Sequence, residues 1–125
     1  MSYILDTHVL LWWLDDPKLL SLEAQKIIHD STNLVYISSV STWEIVIKQS
    51  LGKLEVPKNI FAVIKKANFF ELPISIEHTK CLSTLQDYHK DPFDRLLIAQ
   101  AIVEKSTLIT SDKMIAKYPI PTVHA

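Results

Sequence analysis

The sequence predicts an α/β fold with a central, mostly parallel sheet of about four or five strands and helices on both faces. Short apolar, β-prone runs alternate with segments of helical spacing along the whole chain. This alternation favours a parallel sheet, because each helix returns the chain to the start of the next strand. We find no repeat, low-complexity tract or linker, and therefore predict a single domain over residues 1–125.

The predicted strands cover residues 3–5, 34–37, 69–74 and 107–110, and a last extended piece at 120–123 is kept at an edge by Pro121. The predicted helices cover residues 8–14, 23–29, 42–51, 60–67, 76–85, 92–105 and 113–117. Their predicted N-caps include Thr7, Ser41 or Thr42, and Asp91, whose side chains can accept backbone N–H groups. Gly52 suits the position just past the third helix.

Composition excludes several classes of protein. Of 125 residues, 48% are apolar and 22% are charged, which allows a real core and argues against disorder. A net charge of -1 gives no basic footprint for non-specific DNA binding, although RNA remains open as a transient substrate. The single glycine excludes Gly-rich phosphate loops. A lone cysteine and the lack of a long apolar run predict a cytoplasmic protein without a membrane anchor.

Residues 89–95 open the best-defined helix of the sequence. Asp91 is a good N-cap, and Pro92 suits the first helical position, where its missing N–H costs nothing. Asp94 lies on the same helical face as the apolar residues that follow it, namely Leu97, Ile98, Ala101 and Ile102. A carboxylate on this inward face requires a capping role, a cationic partner or a metal ion, because burying an unpaired charge is costly.

Glu44 occupies a comparable position on the third predicted helix. Val40 lies four residues before it, and Ile47 and Leu51 lie three and seven residues after it, so the pattern places Glu44 within an apolar face. An ion pair with Lys48, one turn further along, would account for Glu44 without any function.

Two further acids, Asp6 and Asp112, follow predicted strands, and each alone could be a helix N-cap. Sites in parallel sheets form beyond the carboxyl ends of the strands, so we expect these two acids to lie near Glu44 and Asp94. Four carboxylates repel one another unless a cation neutralises them. An all-oxygen ligand set suits Mg²⁺ or Mn²⁺, the cations that commonly activate water for phosphodiester hydrolysis.

With these four acids in place, the chain resembles the PIN-domain ribonucleases, and among them the VapC-type toxins of type II toxin–antitoxin systems. The segments that carry the resemblance are YILDTH (3–8), STWEIVIK (41–48), HKDPFDRLLIAQA (89–101) and LITSD (108–112). They span nearly the whole chain and stand in the order that the family shows.

The resemblance implies a PIN-like fold and an endoribonuclease that depends on Mg²⁺ or Mn²⁺. The implied catalytic and metal-binding residues are Asp6, Glu44, Asp94 and Asp112, and the implied residues that orient substrate or water are Thr7, Ser39, Ser111 and Arg95. Arg95 could contact phosphate or simply pair with Asp91. The implied partners are RNA, a cognate antitoxin protein and a second copy of the chain. Between the two acids of the DPFD segment, we assign the metal to Asp94 and the cap to Asp91.

The sequence leaves three alternatives open. A phosphoacceptor receiver domain needs an acidic pair after its first strand, whereas Thr7 and His8 follow Asp6 here. A haloacid-dehalogenase-like phosphatase needs a second Asp at the place of His8. A catalytically inactive binding module of the PIN fold would not need all four acids.

Overall fold

The computed structural model describes residues 1–125 and contains a five-stranded sheet in which every pairing is parallel. Its strands are β1 (Ser2–Leu5), β2 (Leu34–Ser38), β3 (Phe70–Leu72), β4 (Thr107–Thr110) and β5 (Thr122–His124). Across the sheet the order is β3-β2-β1-β4-β5, so the chain extends first to one side of β1 and later to the other. The predicted parallel α/β architecture is confirmed, and β5 lies at an edge as Pro121 suggested.

Six α-helices connect the strands: α1 (Thr7–Asp15), α2 (Leu22–His29), α3 (Ser39–Ser50), α4 (Ile60–Lys66), α5 (Ile76–Cys81) and α6 (Pro92–Glu104). Three short 3-10 turns occupy Pro17–Leu19, Leu82–Thr84 and Ile115–Lys117. The last two replace parts of the predicted helices 76–85 and 113–117. Tyr118 is extended, as expected for a residue before proline, and this ends the final turn. None of the helices has the length and apolar character that crossing a membrane requires.

Two apolar clusters pack on opposite faces of the sheet. Tyr3 and Leu5 of β1 belong to the cluster that includes α1 and α2, whereas Ile4 belongs to the cluster that includes α6. This division follows from the pleat, because successive side chains of a strand point to opposite faces. Helices therefore cover both faces, as predicted.

Two helices begin earlier than predicted, because no loop separates them from the strands before them. α1 is capped by Asp6, whose carboxylate accepts the N–H of Val9 at 2.8 Å. α3 is capped by Ser38, which accepts the N–H of Val40 at 2.9 Å. The predicted caps Thr7, Ser41 and Thr42 are therefore wrong: in such tight connections the polar residue beside the strand end takes the capping role.

The inward face of α3 also differs from the prediction. Val40 is buried, but Ile47 and Leu51 are exposed, and the buried residues of the helix are Val40, Ser41, Glu44 and Ile45. The first half of α3 packs between α1 and α6, while its last turn leaves the core. Glu44 is buried, as expected, although two of the three apolar residues used to predict its burial, Ile47 and Leu51, are exposed. Gly52 ends the segment with a φ of 70°, which glycine adopts without strain.

A buried hydrogen-bond network joins the start of α3 to α6. Ser38 Oγ donates to Gln100 Oε1 at 2.5 Å, and Gln100 Nε2 donates to the carbonyl of Pro73 at 3.3 Å. Gln100 Nε2 also lies 3.3 Å from Nδ1 of His78, whose Nε2 is 2.7 Å from Glu104. Because each buried polar atom loses a partner if either helix shifts, this network holds α3 and α6 in a set relation.

Candidate active site

The four acids predicted from the sequence lie at the carboxyl edge of the sheet. Asp6 follows β1, and Asp112 comes two residues after β4. Glu44 lies in the second turn of α3, directly beyond β2. Asp94 is in the first turn of α6. This helix returns the chain to the start of the parallel strand β4, so its own first turn lies at the carboxyl edge of the sheet. Strand ends and helix starts therefore converge on one region.

The tightest group of potential metal-ligating atoms in this region combines Asp94 and Asp112 with His89. One atom from each of the three side chains lies within 4.8 Å of the other two, and all three residues are half-buried. Asp6 and Glu44 lie outside this tight group but close enough to influence it, since their charges contribute to the raised pKa of Asp94. The structure thus brings two of the predicted acids together around a histidine.

His89 is a residue of this region that the sequence analysis did not place among the site residues. Its Nε2 lies 2.7 Å from Asp112 Oδ2 and 3.1 Å from Asp94 Oδ2, so the ring sits between the two carboxylates. Its Nδ1 accepts the backbone N–H of Asp91 at 3.1 Å, which places the proton on Nε2, so the ring donates to Asp112 and lies directly beside the carboxylate of Asp94. The one available signal was the position of His89, two residues before the cap of α6.

The loop that carries His89 is held in place by two side chains. Arg95 Nη1 donates to the carbonyls of Gln86 and His89, at 2.9 and 3.2 Å, and pairs with Asp87 at 3.2 Å. The hydroxyl of Tyr118 donates to Gln86 and accepts the N–H of His89 at 2.8 Å. The suggested pairing of Arg95 with Asp91 is therefore wrong, because the bent loop 86–89 offers the guanidinium several acceptors at once.

Asp91 and Asp94 take the distinct positions that the helix register predicted. The carboxylate of Asp91 accepts the N–H groups of Phe93 and Asp94, at 2.8 and 3.2 Å, and so caps α6. Asp94, one turn further on, instead extends its carboxylate to His89. The capping oxygen of Asp91 is thus committed to the backbone, whereas Asp94 is directed into the cluster.

Glu44 has a partner on each carboxylate oxygen. The Thr7 hydroxyl donates to Oε1 at 2.5 Å and also lies 3.1 Å from the hydroxyl of Ser41, for which the sequence analysis predicted only a capping role. The ammonium group of Lys48 binds Oε2 as an ion pair. The ion pair with Lys48 that the sequence spacing allowed is present. Lys48 also lies near the other acids, since the hydrogen bond to Glu44 and, to a smaller extent, the charges of Asp91 and Asp94 raise its pKa.

Ser39 and Ser111 are less closely tied to the acids. Ser39 opens α3 and lines a separate cavity beside β2 and β3, together with Thr42, Lys65 and Glu71. Ser111 is half-buried between β4 and Asp112. Of the predicted hydroxyls, Thr7 alone contacts one of the four acids.

Burial, hydrogen bonds and neighbouring charges shift the pKa values of three of these acids. Burial raises the pKa of Asp94 to about 7. Repulsion from Asp91, Glu44 and Asp6 adds to this rise, and the electrostatic attraction of the neighbouring His89 ring offsets it only in part. Burial likewise raises the pKa of Asp6, against the lowering effect of the Val9 N–H. Burial also acts to raise the pKa of Asp112, but hydrogen bonds from His89 and from the N–H of Met114 outweigh it, so that pKa is lowered.

The chemistry of this cluster fits a hard divalent cation. Asp94 and Asp112 offer carboxylate oxygens that already converge, and a cation between them would offset both the burial and the repulsion that raise the pKa of Asp94. His89 donates from Nε2 in this arrangement, so it orients the carboxylates instead of binding the cation itself. Such outer hydrogen bonds commonly set the geometry of metal ligands.

The raised pKa of Asp94 predicts how the stability of the metal-free chain changes with pH. The pKa is about 7 in the folded chain against an ordinary value of 3.8, so between these values the native state binds more protons than the unfolded state. The contribution of Asp94 to stability is therefore fully present below about pH 4 and is lost as the pH rises through about 7. We expect the free energy of unfolding of Asp94→Asn, relative to the unaltered chain in EDTA, to increase from about pH 5 to about pH 8.

Urea unfolding of both proteins at the two pH values measures this difference. Asp91→Asn is the comparison variant, because asparagine caps a helix about as well as aspartate and Asp94 stays in place. It removes part of the repulsion on Asp94, so we expect a smaller increase of the same sign. If the difference in the free energy of unfolding between the unaltered chain and Asp94→Asn were the same at both pH values, Asp94 would not have a raised pKa.

The family is shown by a model of the PIN domain, which matches residues 3–121. The chain belongs to the PIN domain family. This match favours the PIN fold over the receiver and dehalogenase folds, and the resemblance drawn from the four sequence segments is confirmed. A relative from Mycobacterium tuberculosis named ribonuclease VapC22 is 22% identical over 123 residues, which cover 96% of this chain and 94% of the relative.

Solved structures agree on the fold. VapBC2 from Rickettsia felis, bound to a DNA fragment from its promoter, superposes with a TM-score of 0.73 at 18% identity over 98% of both chains. FitAcB from Neisseria gonorrhoeae gives a TM-score of 0.60 at 18% identity, over 98% of this chain and 96% of that one. FitAB bound to the IR36 DNA fragment gives 0.61 at 16% identity, over 97% and 93%. The parallel sheet and its flanking helices are thus those of the PIN domains.

Proposed function

We propose that this PIN domain is a metal-dependent endoribonuclease, the toxin component of a type II toxin–antitoxin system. The observation that carries the proposal is the convergence of Asp94 and Asp112 on His89 at the carboxyl edge of the sheet, with Asp6 and Glu44 nearby. The similarity to ribonuclease VapC22 over nearly the whole chain supports RNA as the substrate. A binding module without activity would have no need for a buried, self-repelling acid cluster.

In this proposal, Asp94 and Asp112 hold Mg²⁺ or Mn²⁺, and Asp6 and Glu44 supply further negative charge around it. The bound cation would lower the pKa of a coordinated water and offset charge on the phosphate and the leaving oxygen. Each carboxylate is already oriented by protein groups: Asp94 and Asp112 by His89, Asp6 by the N–H of Val9, and Glu44 by Thr7.

The remaining residues act on these acids indirectly. Arg95 and Tyr118 position the loop of His89, and we therefore propose a positioning role for Arg95 in place of a direct phosphate contact. Lys48 offsets part of the negative charge around Glu44 and stays protonated, because its hydrogen bond to Glu44 raises its pKa. Thr7 stays a candidate for orienting water, while Ser39 and Ser111 have less support.

The function is tested by incubating the purified chain with RNA in the presence of Mg²⁺ or Mn²⁺. The matched control is Asp94→Asn, purified in the same way, because a contaminating nuclease would be equally present in that preparation. Cleavage by the unaltered chain alone supports the proposal. Equal cleavage by both preparations, or by neither, would leave the inactive binding module as the better description of this chain.

We also propose an antitoxin protein and a second copy of the chain as partners. The similar solved structures are VapBC2 and FitAB assemblies, and an apolar groove between α1 and α4, lined by Leu11, Trp12, Leu54 and Val56, offers a surface for a protein. Light scattering of the isolated chain should give the mass of a dimer. A monomer mass at micromolar concentration would contradict the proposed dimer. Co-expression of a short neighbouring reading frame should relieve toxicity of the chain.

A further inference from the structure

An exposed aromatic pair borders the acidic cluster. Trp43 and Phe93 contact each other edge to face, with ring centroids 4.8 Å apart and an angle of 71° between the rings. Trp43 is 47% exposed, although it is the largest side chain in its helix, and Phe93 is half-buried against the core. An edge-to-face contact covers at most one face of each ring, so this pair offers aromatic surface to a ligand.

The pair is connected to the acids by sequence and by contact. Trp43 immediately precedes Glu44 on α3, and Phe93 immediately precedes Asp94 on α6. Lys48 links them further, since its ammonium group pairs with Glu44 and lies 6.0 Å from the centroid of the Phe93 ring. A positive charge and an aromatic surface thus adjoin the carboxylates. The buried network from Ser38 to Gln100 supports the two helices that carry the rings.

We propose that Trp43, supported by Phe93, stacks on one unpaired base next to the phosphate at which RNA is cut. This inference rests on the proposed function and adds to it the surface that holds a nucleotide beside the cut. Every base has a flat π-face that stacks on aromatic rings, and single-stranded nucleic acids are commonly held by a combination of aromatic platforms and basic side chains. The ammonium group of Lys48 meets the second requirement.

An RNA base suits this surface better than a protein side chain does. A protein interface typically centres on a contiguous apolar patch. Trp43 does have two exposed apolar residues, Val46 and Ile47, one turn further along its helix. The ring that the indole contacts, Phe93, lies however 6.0 Å from the ammonium group of Lys48 and directly precedes Asp94, so charged groups adjoin the pair on that side. The separate groove between α1 and α4 has the apolar lining that a protein partner requires.

The first test measures binding without cleavage. A fluorescein-labelled, single-stranded RNA oligonucleotide of random sequence is titrated into Asp94→Asn protein with and without Trp43→Ala. We expect Trp43→Ala to weaken binding roughly ten- to a hundred-fold, the range for loss of one stacked base, and Trp43→Phe to retain most of it. Phe61→Ala is the matched control, since Phe61 is also 47% exposed but lies on α4. An unchanged Kd for Trp43→Ala would overturn the inference, whether or not the unaltered chain cleaves RNA.

The second test locates the base in an RNA that the unaltered chain cleaves. Replacing nucleotides one at a time by abasic analogues should identify a position beside the cut where the KM rises while kcat changes little. The same analogue should have no further effect on Trp43→Ala, because the contact is already lost. If the effects of the analogue and of Trp43→Ala were additive at every position, the proposed contact between the indole and a base would be refuted. If Trp43→Ala lost only dimer or antitoxin binding, the indole would instead belong to a protein interface. Absence of all cleavage would refute the proposed function while the binding test still decides the role of Trp43.

Discussion

Asp94→Asn is expected to lower the rate of RNA cleavage at saturating Mn²⁺ by about a hundred-fold or more, whereas Asp91→Asn should keep most of it. A metal ion supplies several kcal/mol of transition-state stabilisation, and each 1.36 kcal/mol corresponds to a factor of ten in rate. The asparagine would retain the shape of the side chain and an acceptor for His89, but not the charge that attracts the cation. Loss of that charge also removes repulsion from Asp91, so folding should survive.

Asp91→Asn is the matched control, because the two acids lie three residues apart at the start of the same helix. Asp91 accepts N–H groups of Phe93 and Asp94, and asparagine can accept the same bonds. Circular dichroism of both variants checks that α6 remains folded. If Asp91→Asn were inactive and Asp94→Asn active, the roles of cap and metal ligand would be reversed.

Removal of divalent metal is expected to abolish cleavage completely. In EDTA the cluster of Asp6, Asp94 and Asp112 would lack the charge that neutralises it, and no side chain of the cluster replaces a cation as a water activator. Cleavage should return when Mg²⁺ or Mn²⁺ is added in excess of the chelator. Persistence of full activity in EDTA would refute the metal-dependent mechanism.

Adding Mg²⁺ or Mn²⁺ to the metal-free chain also has an effect that can be measured without an activity assay. Binding of Mg²⁺ or Mn²⁺ to the native state alone should raise the melting temperature with increasing concentration. In Asp94→Asn this rise should be smaller, since one proposed ligand is lost. An equal rise in both proteins would indicate that the cation binds elsewhere.

Local chemistry explains why several site residues were predictable. The register of α6 follows from Asp91 and Pro92, whose cap and first-turn preferences are strong and independent of the rest of the fold. That register alone directs Asp94 inward. Asp6 and Asp112 were predictable because strand ends in a parallel sheet meet at one edge.

Other predictions depended on packing and were less accurate. The apolar pattern around Glu44 used Ile47 and Leu51, which are exposed, because α3 packs against its neighbours only over its first turns. Burial of Glu44 was correctly predicted, although the buried face of α3 consists of two apolar residues, Val40 and Ile45, and two polar ones, Ser41 and Glu44. Arg95 was expected near phosphate or Asp91, yet it binds the 86–89 loop, whose bend has no sequence pattern.

The sequence by itself determined the alternation of strands and helices, the cap of α6 and the acids at the carboxyl edge, since short-range preferences and periodicity carry that information. Only the tertiary structure decided that His89 lies between Asp94 and Asp112, that Thr7 joins Lys48 in binding Glu44, and that Trp43 contacts Phe93 beside the cluster. Most of these contacts join residues far apart in the chain. They form because the parallel sheet and its packed helices bring separate segments to one edge, and no local preference encodes such a meeting.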